Sequence, residues 1–348
     1  MDSRQPEDDA QEGATLVMTP HADVVGIIPS APPLETRWPP FALRRYAGGF
    51  WLPEVTAKEG LPAVHSCFVP RPTDVILASF PKSGTTWLKA LAFATLKRST
   101  HPPSDGDHPL RHRSPHECVR FLGIELNDRN KDEFEALPSP RVLATHLPYS
   151  LLPGSINEDG ERLGCRIVYV CQEPKDALVS YWPFMRKAAA ARGLDVRSFT
   201  IQEALELFCD SRCPFGPQWL HVLQYWEESL RRPERVLFLR YEEMLLEPEA
   251  HVRKLAKFMG CEFSEEEEDG VVSAIVELCS LRKLRNMEVN RNGSTRLGTK
   301  NESFFRKGVA GDWSNHMTPE MAQRLDKVIE DALQGVKYFG SSRCGSSG

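Results

Sequence analysis

Four short runs along the chain are apolar at nearly every position: Asp74–Phe80, Arg141–Thr145, Arg166–Cys171 and Arg235–Arg240. Runs this short, rich in Val, Ile, Leu and Phe, predict strands that are buried on both faces of a parallel sheet. Elsewhere the apolar period is helical. Trp87, Leu88, Leu91, Ala92 and Leu96 form a stripe just after the first strand. Ser264 can cap a helix that carries Glu265, Glu266 and Glu267 at its positive dipole end and continues through Val271, Val272, Ile275 and Leu278. This placement gives the acidic run a structural explanation, with no metal or partner role. Thr318-Pro319-Glu320 starts another helix, with Met321, Leu325, Val328, Ile329 and Leu333 as its buried stripe and Gly335 as its stop. Strands alternate with helices, which predicts an α/β protein: a single-domain, P-loop-like three-layer fold with a central parallel sheet flanked by helices.

The ends break the pattern. Residues 1–40 carry acids and then Pro29, Pro32, Pro33, Pro39 and Pro40, which predicts a disordered or loosely attached segment. The domain is expected over 41–340, with 341–348 as a flexible tail. No internal repeat is present. Of the 348 residues 41% are apolar, enough for a core, and the net charge of −5 argues against a nucleic-acid partner. No run of about 18 apolar residues predicts a membrane span. The N-terminus, with Asp2, Glu7, Asp8, Asp9 and Glu12, is too acidic for a signal or transit peptide, so the expected location is cytoplasmic. The nine cysteines (67, 118, 165, 171, 209, 213, 261, 279 and 344) are scattered and include no Cys-x2-Cys pair, which predicts reduced thiols and no zinc site. His108, His112 and His116 look like helical metal spacing, but Pro109 and Pro115 break that helix and a solvated loop is expected.

Chemistry enters at Pro81-Lys82-Ser83-Gly84-Thr85-Thr86-Trp87, where a strand turns into a helix. Gly84 permits a tight turn, and the backbone N–H groups from Thr85 onward are unpaired at a helix N-terminus. Lys82 adds a charge, and the Ser83, Thr85 and Thr86 hydroxyls add donors suited to phosphate oxygens. The lysine precedes the only glycine, so this is not the Gly-x4-Gly-Lys-Ser/Thr loop of nucleotide triphosphatases. His146, Gln172–Asp176 and Tyr241–Glu243 follow the other three strands. Ligands of open α/β sheets bind at the carboxyl ends of strands, so these groups should meet in one crevice.

The order Pro-Lys-Ser-Gly-Thr-Thr-Trp resembles the phosphosulfate-binding loop of cytosolic sulfotransferases. A second match lies at Phe305-Arg306-Lys307-Gly308-Val309-Ala310-Gly311-Asp312-Trp313. The resemblance runs from about Phe50 to Tyr338, and the wording at Phe50-Trp51 and Asn301–Gly311 is most like the plant branch. It implies transfer of a sulfuryl group from 3′-phosphoadenosine 5′-phosphosulfate (PAPS) to a small acceptor, without a metal. Lys82 would stabilise the leaving bridging oxygen, and Ser83, Gly84, Thr85 and Thr86 would hold the 5′-phosphate. Trp87 would stack on adenine, which Tyr241 also contacts. Arg306, Lys307, Gly308 and Ser180 would hold the 3′-phosphate. A neutral histidine at the end of a central strand is the natural base for the acceptor hydroxyl, and His146 in Thr145-His146-Leu147-Pro148 matches the family's catalytic segment. On the residues alone, Ser180 also reads as an ordinary helix serine and Tyr241 as a core tyrosine.

Two departures stand out. Where the family has an arginine that binds the 3′-phosphate, this chain has Gln172, which offers a hydrogen bond without charge. The dimerisation motif of the mammalian branch would fall on Ser314, Thr318, Pro319 and Gln323, where only the threonine matches, so a monomer is expected. Trp38, Phe41, Tyr46, Phe50, Trp51, Phe121, Tyr149, Trp182 and Phe184 could line an acceptor pocket for a flat phenol or sterol, or could simply be core. A small-molecule kinase and a non-catalytic nucleotide binder remain as alternatives.

Overall fold

A computed structural model describes residues 34–157, 165–268 and 270–334. The segments 1–33 and 341–348, with Cys344 and the Gly335 stop, lie outside the described residues. Eight strands are described: β1 (Leu34–Glu35), β2 (Leu43–Arg45), β3 (Trp51–Pro53), β4 (Val75–Ser79), β5 (Arg120–Leu122), β6 (Val142–Thr145), β7 (Arg166–Cys171) and β8 (Val236–Arg240). The last five form a parallel sheet in the order β5-β6-β4-β7-β8, so the phosphate-loop strand is central.

The four expected strands are present, each ending within a residue of its expected bounds. Their alternation sets two cores. Ile76, Ala78, Leu143, Ile167, Tyr169 and Val236 face one side with Leu178, Tyr181, Phe208 and Val222. Val75, Leu77, Val142, Ala144, Val168 and Val170 face the other with Leu88, Leu91, Val252, Leu255 and Ile275. The four helices used below are α1 (Thr85–Lys97), α2 (Pro115–Cys118), α3 (Pro174–Ala190) and α4 (Gln218–Arg231).

Three expectations need correction. Residues 34–40 are not loosely attached: β1 pairs with β2, and Trp38 is fully buried with its ring 5.5 Å from Tyr181 and 5.4 Å from Phe199. The helix expected from Ser264 to Leu278 is divided into Glu265–Glu268 and Val271–Leu278, with Gly270 outside helical geometry (φ −125°, ψ −39°) between them. Glu267 instead reaches back to the Ser264 N–H (3.1 Å) and pairs with Arg98 (3.0 Å). The short edge strand β5 escaped the pattern because it holds Arg120, a buried cation that is made tolerable by Glu125 at 2.7 Å and Glu133 at 3.1 Å. The Thr318 cap is as expected, with its hydroxyl accepting from Met321 N–H at 3.3 Å.

Candidate active site

After β4 the chain takes two left-handed residues, Lys82 (φ +65°) and Gly84 (φ +95°), before entering α1. A side chain at Gly84 would be strained, and its Cβ would also lie 2.6 Å from the Tyr241 ring. Lys82 in that region is a strained non-glycine residue, of the kind that clusters at ligand-binding turns. The first N–H groups of α1 have no intrahelical acceptor. Ser83 is fully buried, yet its Oγ meets no hydrogen-bond partner among the described residues. Thr85 turns its hydroxyl inward to Ser79 Oγ (2.6 Å), leaving its backbone N–H for any ligand. Trp87 and Tyr241 meet edge to face at 5.6 Å.

Lys82 Nζ sits 4.2 Å from the Phe184 ring centroid and 5.4 Å from that of Phe304. Burial first, and then the charges of Arg306 and Lys187, push its pKa down to about 7. Phe304 immediately precedes Phe305 and Arg306, so its contact with Lys82 brings the two sequence blocks together. A side chain at Gly308 (φ +67°) would likewise be strained, and its Cβ would press on the Leu281 side chain, 2.5 Å from Cδ2. Arg306 and Lys307 both engage Asp312, which is nearly fully buried, with Lys307 Nζ at 2.6 Å. Hydrogen bonds from these two cations hold the Asp312 carboxyl far below the ordinary carboxylate range, outweighing its burial. Arg306 Nε stays buried and unpartnered among the described residues.

One carboxylate joins this loop to α3. Asp176, fully buried in the first turn of α3, accepts from the N–H groups of Gly311 (2.6 Å) and Trp313 (2.9 Å). Ser180 lies half-buried one turn further along the same helix. Gln172 is buried just past the end of β7, and its carbonyl accepts from Gln218 Nε2 at 3.1 Å.

His146 leaves the end of β6. Its Nδ1 lies 2.7 Å from the Ser79 carbonyl, which can only accept, so Nδ1 carries the proton, and the Nε2 lone pair meets no partner among the described residues. Burial pushes its pKa down to about 3, offsetting the stabilising bond to Ser79, so the ring is neutral near pH 7. Phe121 and Phe215 stand 4.6 and 5.5 Å from it.

Several residues of this neighbourhood went unread in the sequence. Buried His221 on α4 donates from Nε2 to the His146 carbonyl (3.0 Å) and accepts at Nδ1 from Tyr169 (2.9 Å). Tyr225 donates to the Leu147 carbonyl (2.8 Å). The signal was there: Gln218, His221 and Tyr225 share one helical face otherwise made of apolar residues. The expected solvated histidine loop holds only for His112. His108 is fully buried and accepts from Leu110 N–H (3.2 Å). His116 sits against α1, 3.0 Å from Thr86 Oγ1 and 3.3 Å from the buried Lys89 Nζ. Of the candidate pocket aromatics, Trp38 and Phe50 are fully buried in the core and Tyr149 packs on Tyr225. Phe121 and Phe184 do flank the site, joined by Phe215 and Phe304.

A family model for the sulfotransferase domain matches residues 72–337, nearly the span in which these groups lie. The chain belongs to the sulfotransferase family. Cytosolic sulfotransferase 5 of Arabidopsis thaliana is 45% identical over 276 residues, 78% of this chain and 83% of that one. Cytosolic sulfotransferase 10 of the same plant is 43% identical, covering 82% and 86%. The crystal structure of an Arabidopsis thaliana putative steroid sulphotransferase is 33% identical with a TM-score of 0.67, covering 88% of this chain and 91% of that one. A mouse sulfotransferase solved with PAP is 27% identical, with a TM-score of 0.64 and coverage of 85% and 95%. These matches make the protein a sulfotransferase of the plant cytosolic kind and set aside the kinase alternative. No helix among the described residues is long and apolar enough to cross a membrane.

Proposed function

We propose that this sulfotransferase moves the sulfuryl group of PAPS onto the hydroxyl of a small hydrophobic acceptor, a flavonoid, steroid or other plant metabolite. The observation that carries the proposal is the tautomer of His146: Ser79 pins its Nδ1–H, which leaves Nε2 as a neutral base beside two aromatic rings. As the acceptor oxygen forms its bond to sulfur, its proton passes to Nε2. The bond from sulfur to the bridging phosphate oxygen breaks, and the electron pair stays on that oxygen, where the Lys82 cation would stabilise it. Two orphaned buried groups fit an anionic donor: Ser83 Oγ at the first loop and Arg306 Nε at the second. Ser83, Gly84, Thr85 and Thr86 would hold the 5′-phosphate, and Arg306, Lys307, Gly308, Ser180 and Gln172 the 3′-phosphate. Trp87 and Tyr241 would flank adenine. Phe121, Phe184, Phe215 and Phe304 supply an apolar wall for the acceptor, in keeping with the steroid named for the Arabidopsis relative. A cytoplasmic monomer is the form proposed, from the names of the relatives and from the mismatch at Ser314, Pro319 and Gln323.

The test is transfer of labelled sulfate from PAPS by the purified protein across a panel of phenols, sterols and hydroxy acids, with no added metal. Sulfated product from at least one acceptor is expected. No transfer to any acceptor, or a strict magnesium requirement, refutes the mechanism as written.

A further inference from the structure

Lys89 is a fully buried lysine in the middle of an apolar helix face, between Leu88 and Leu91, and burying a cation is costly where a methionine would pack as well. Its Nζ donates to the Val119 carbonyl at 3.0 Å, sits 4.2 Å from the Phe121 ring centroid, and lies 3.3 Å from His116 Nδ1. Charged or neutral, Nζ carries at least two hydrogens, one for the Val119 carbonyl and one for His116 Nδ1, and the ring then carries its proton on Nε2. That Nε2 lies 3.0 Å from Thr86 Oγ1, which therefore accepts it. Having accepted from His116, the Thr86 hydroxyl has its own hydrogen free to donate elsewhere. The imidazole is held in place by the Ser114–Glu117 capping box of α2 and by Phe304, whose ring centroid is 3.9 Å away. Phe304 is also one of the two rings beside Lys82. Burial, followed by the charges of Lys89 and Lys82, keeps His116 neutral, which the relay requires.

We propose that Lys89 and His116 are positioning residues that turn the Thr86 hydroxyl hydrogen toward the 5′-phosphate of the donor. The inference rests on the donor assignment above. A hydroxyl that already accepts a polarised N–H is a stronger donor and has lost its rotational choice before the ligand arrives. Neither Lys89 nor His116 then needs to touch the nucleotide.

A double-mutant cycle read by calorimetry with PAP, the desulfated product of PAPS, tests this. Thr86→Val and His116→Phe should each weaken PAP binding about tenfold, the worth of one hydrogen bond to a charged group. The double variant should be no weaker than Thr86→Val alone, because the histidine acts only through that hydroxyl. Adenosine 3′-phosphate, which lacks the 5′ group, should bind all variants alike. Additive losses, or equal losses for both nucleotides, overturn the relay and make His116 merely structural. Lys89→Met, of similar shape, runs the same cycle with Thr86→Val should His116→Phe not fold. A parent protein that fails to bind PAP sinks the donor assignment and the relay together, whereas additivity in a PAP-binding parent sinks the relay alone.

Discussion

Binding of the donor should take up a proton, and Lys82 should be where it goes. Its pKa falls from 10.5 to about 7 in the free protein, a bias of about 5 kcal/mol toward the neutral amine. At pH 8 only ~0.1 of the lysines is charged on that basis. A phosphate beside it favours the ammonium and restores an ordinary lysine pKa, so binding PAP at pH 8 should consume ~0.9 proton at this side chain. The ligand contributes little, because its phosphates are fully ionised there. The sign follows directly: the bound state holds more protons, so affinity should fall as pH rises, by about fivefold from pH 7 to pH 8 and about tenfold from pH 8 to pH 9. Calorimetry in two buffers of different ionisation enthalpy measures the uptake. Lys89, pushed to about 7 by burial as well, is bonded to Val119 and His116 rather than to the ligand. Lys82→Met should therefore reduce the uptake by about one proton. If the parent takes up no proton at pH 8, or Lys82→Met takes up as many as the parent, then Lys82 does not face the anion.

His146→Ala should abolish nearly all turnover while leaving PAP affinity within a few-fold, since the base serves the acceptor; parallel loss of nucleotide binding would mark the residue as structural. Because burial holds the His146 pKa at about 3, kcat/KM should show no acid limb near pH 6.5 from this ring, and a limb there that disappears with the histidine would contradict the tautomer argument. Asp176→Ala leaves two backbone N–H groups without their carboxylate, so urea unfolding should register a loss of about 3 kcal/mol, together with weaker binding of PAP than of adenosine 5′-phosphate relative to the parent. Gln172→Arg should tighten PAP about tenfold or more through a charge-assisted bond, with adenosine 5′-phosphate as the unchanged control; equal affinity in parent and variant would show that Gln172 does not face the 3′-phosphate.

Most of the sheet could be read from the chain because its central strands are buried on both faces and leave unbroken apolar runs. The strands that escaped are those whose pairing is settled by tertiary contacts: β5 with its ion-paired Arg120, and β1 to β3, which flank the buried Trp38 and carry Trp51. The phosphate loop was legible because its chemistry is local, a turn, a glycine and a helix N-terminus within a few residues. The layer behind His146 and Thr86 was harder to read. His221 is marked only by the apolar helix face it shares with Gln218 and Tyr225, while Lys89 and His116 matter through partners distant in sequence, and nothing in the immediate neighbours of His116 distinguishes a relay from a solvated loop. Asp312 and Asp176 were in view within motifs, but their bonds to Arg306, Lys307 and the Gly311 backbone depend on how the last loop folds against α3.

That fastening by Asp176 has a consequence for selectivity. The turn after β4 and the Arg306–Gly308 loop come from remote parts of the chain, and a loop free to shift would accept nucleotides of many shapes. A buried carboxylate at the start of α3 that grips the Gly311 and Trp313 backbone amides, just beyond Gly308, removes that freedom. The distance between the two proposed phosphate sites is thereby set by the sheet and helix, which act as a gauge. A nucleotide with phosphates on both ends of its ribose fits such a gauge, whereas a linear triphosphate, with all its charge at one end, leaves the far loop unanswered.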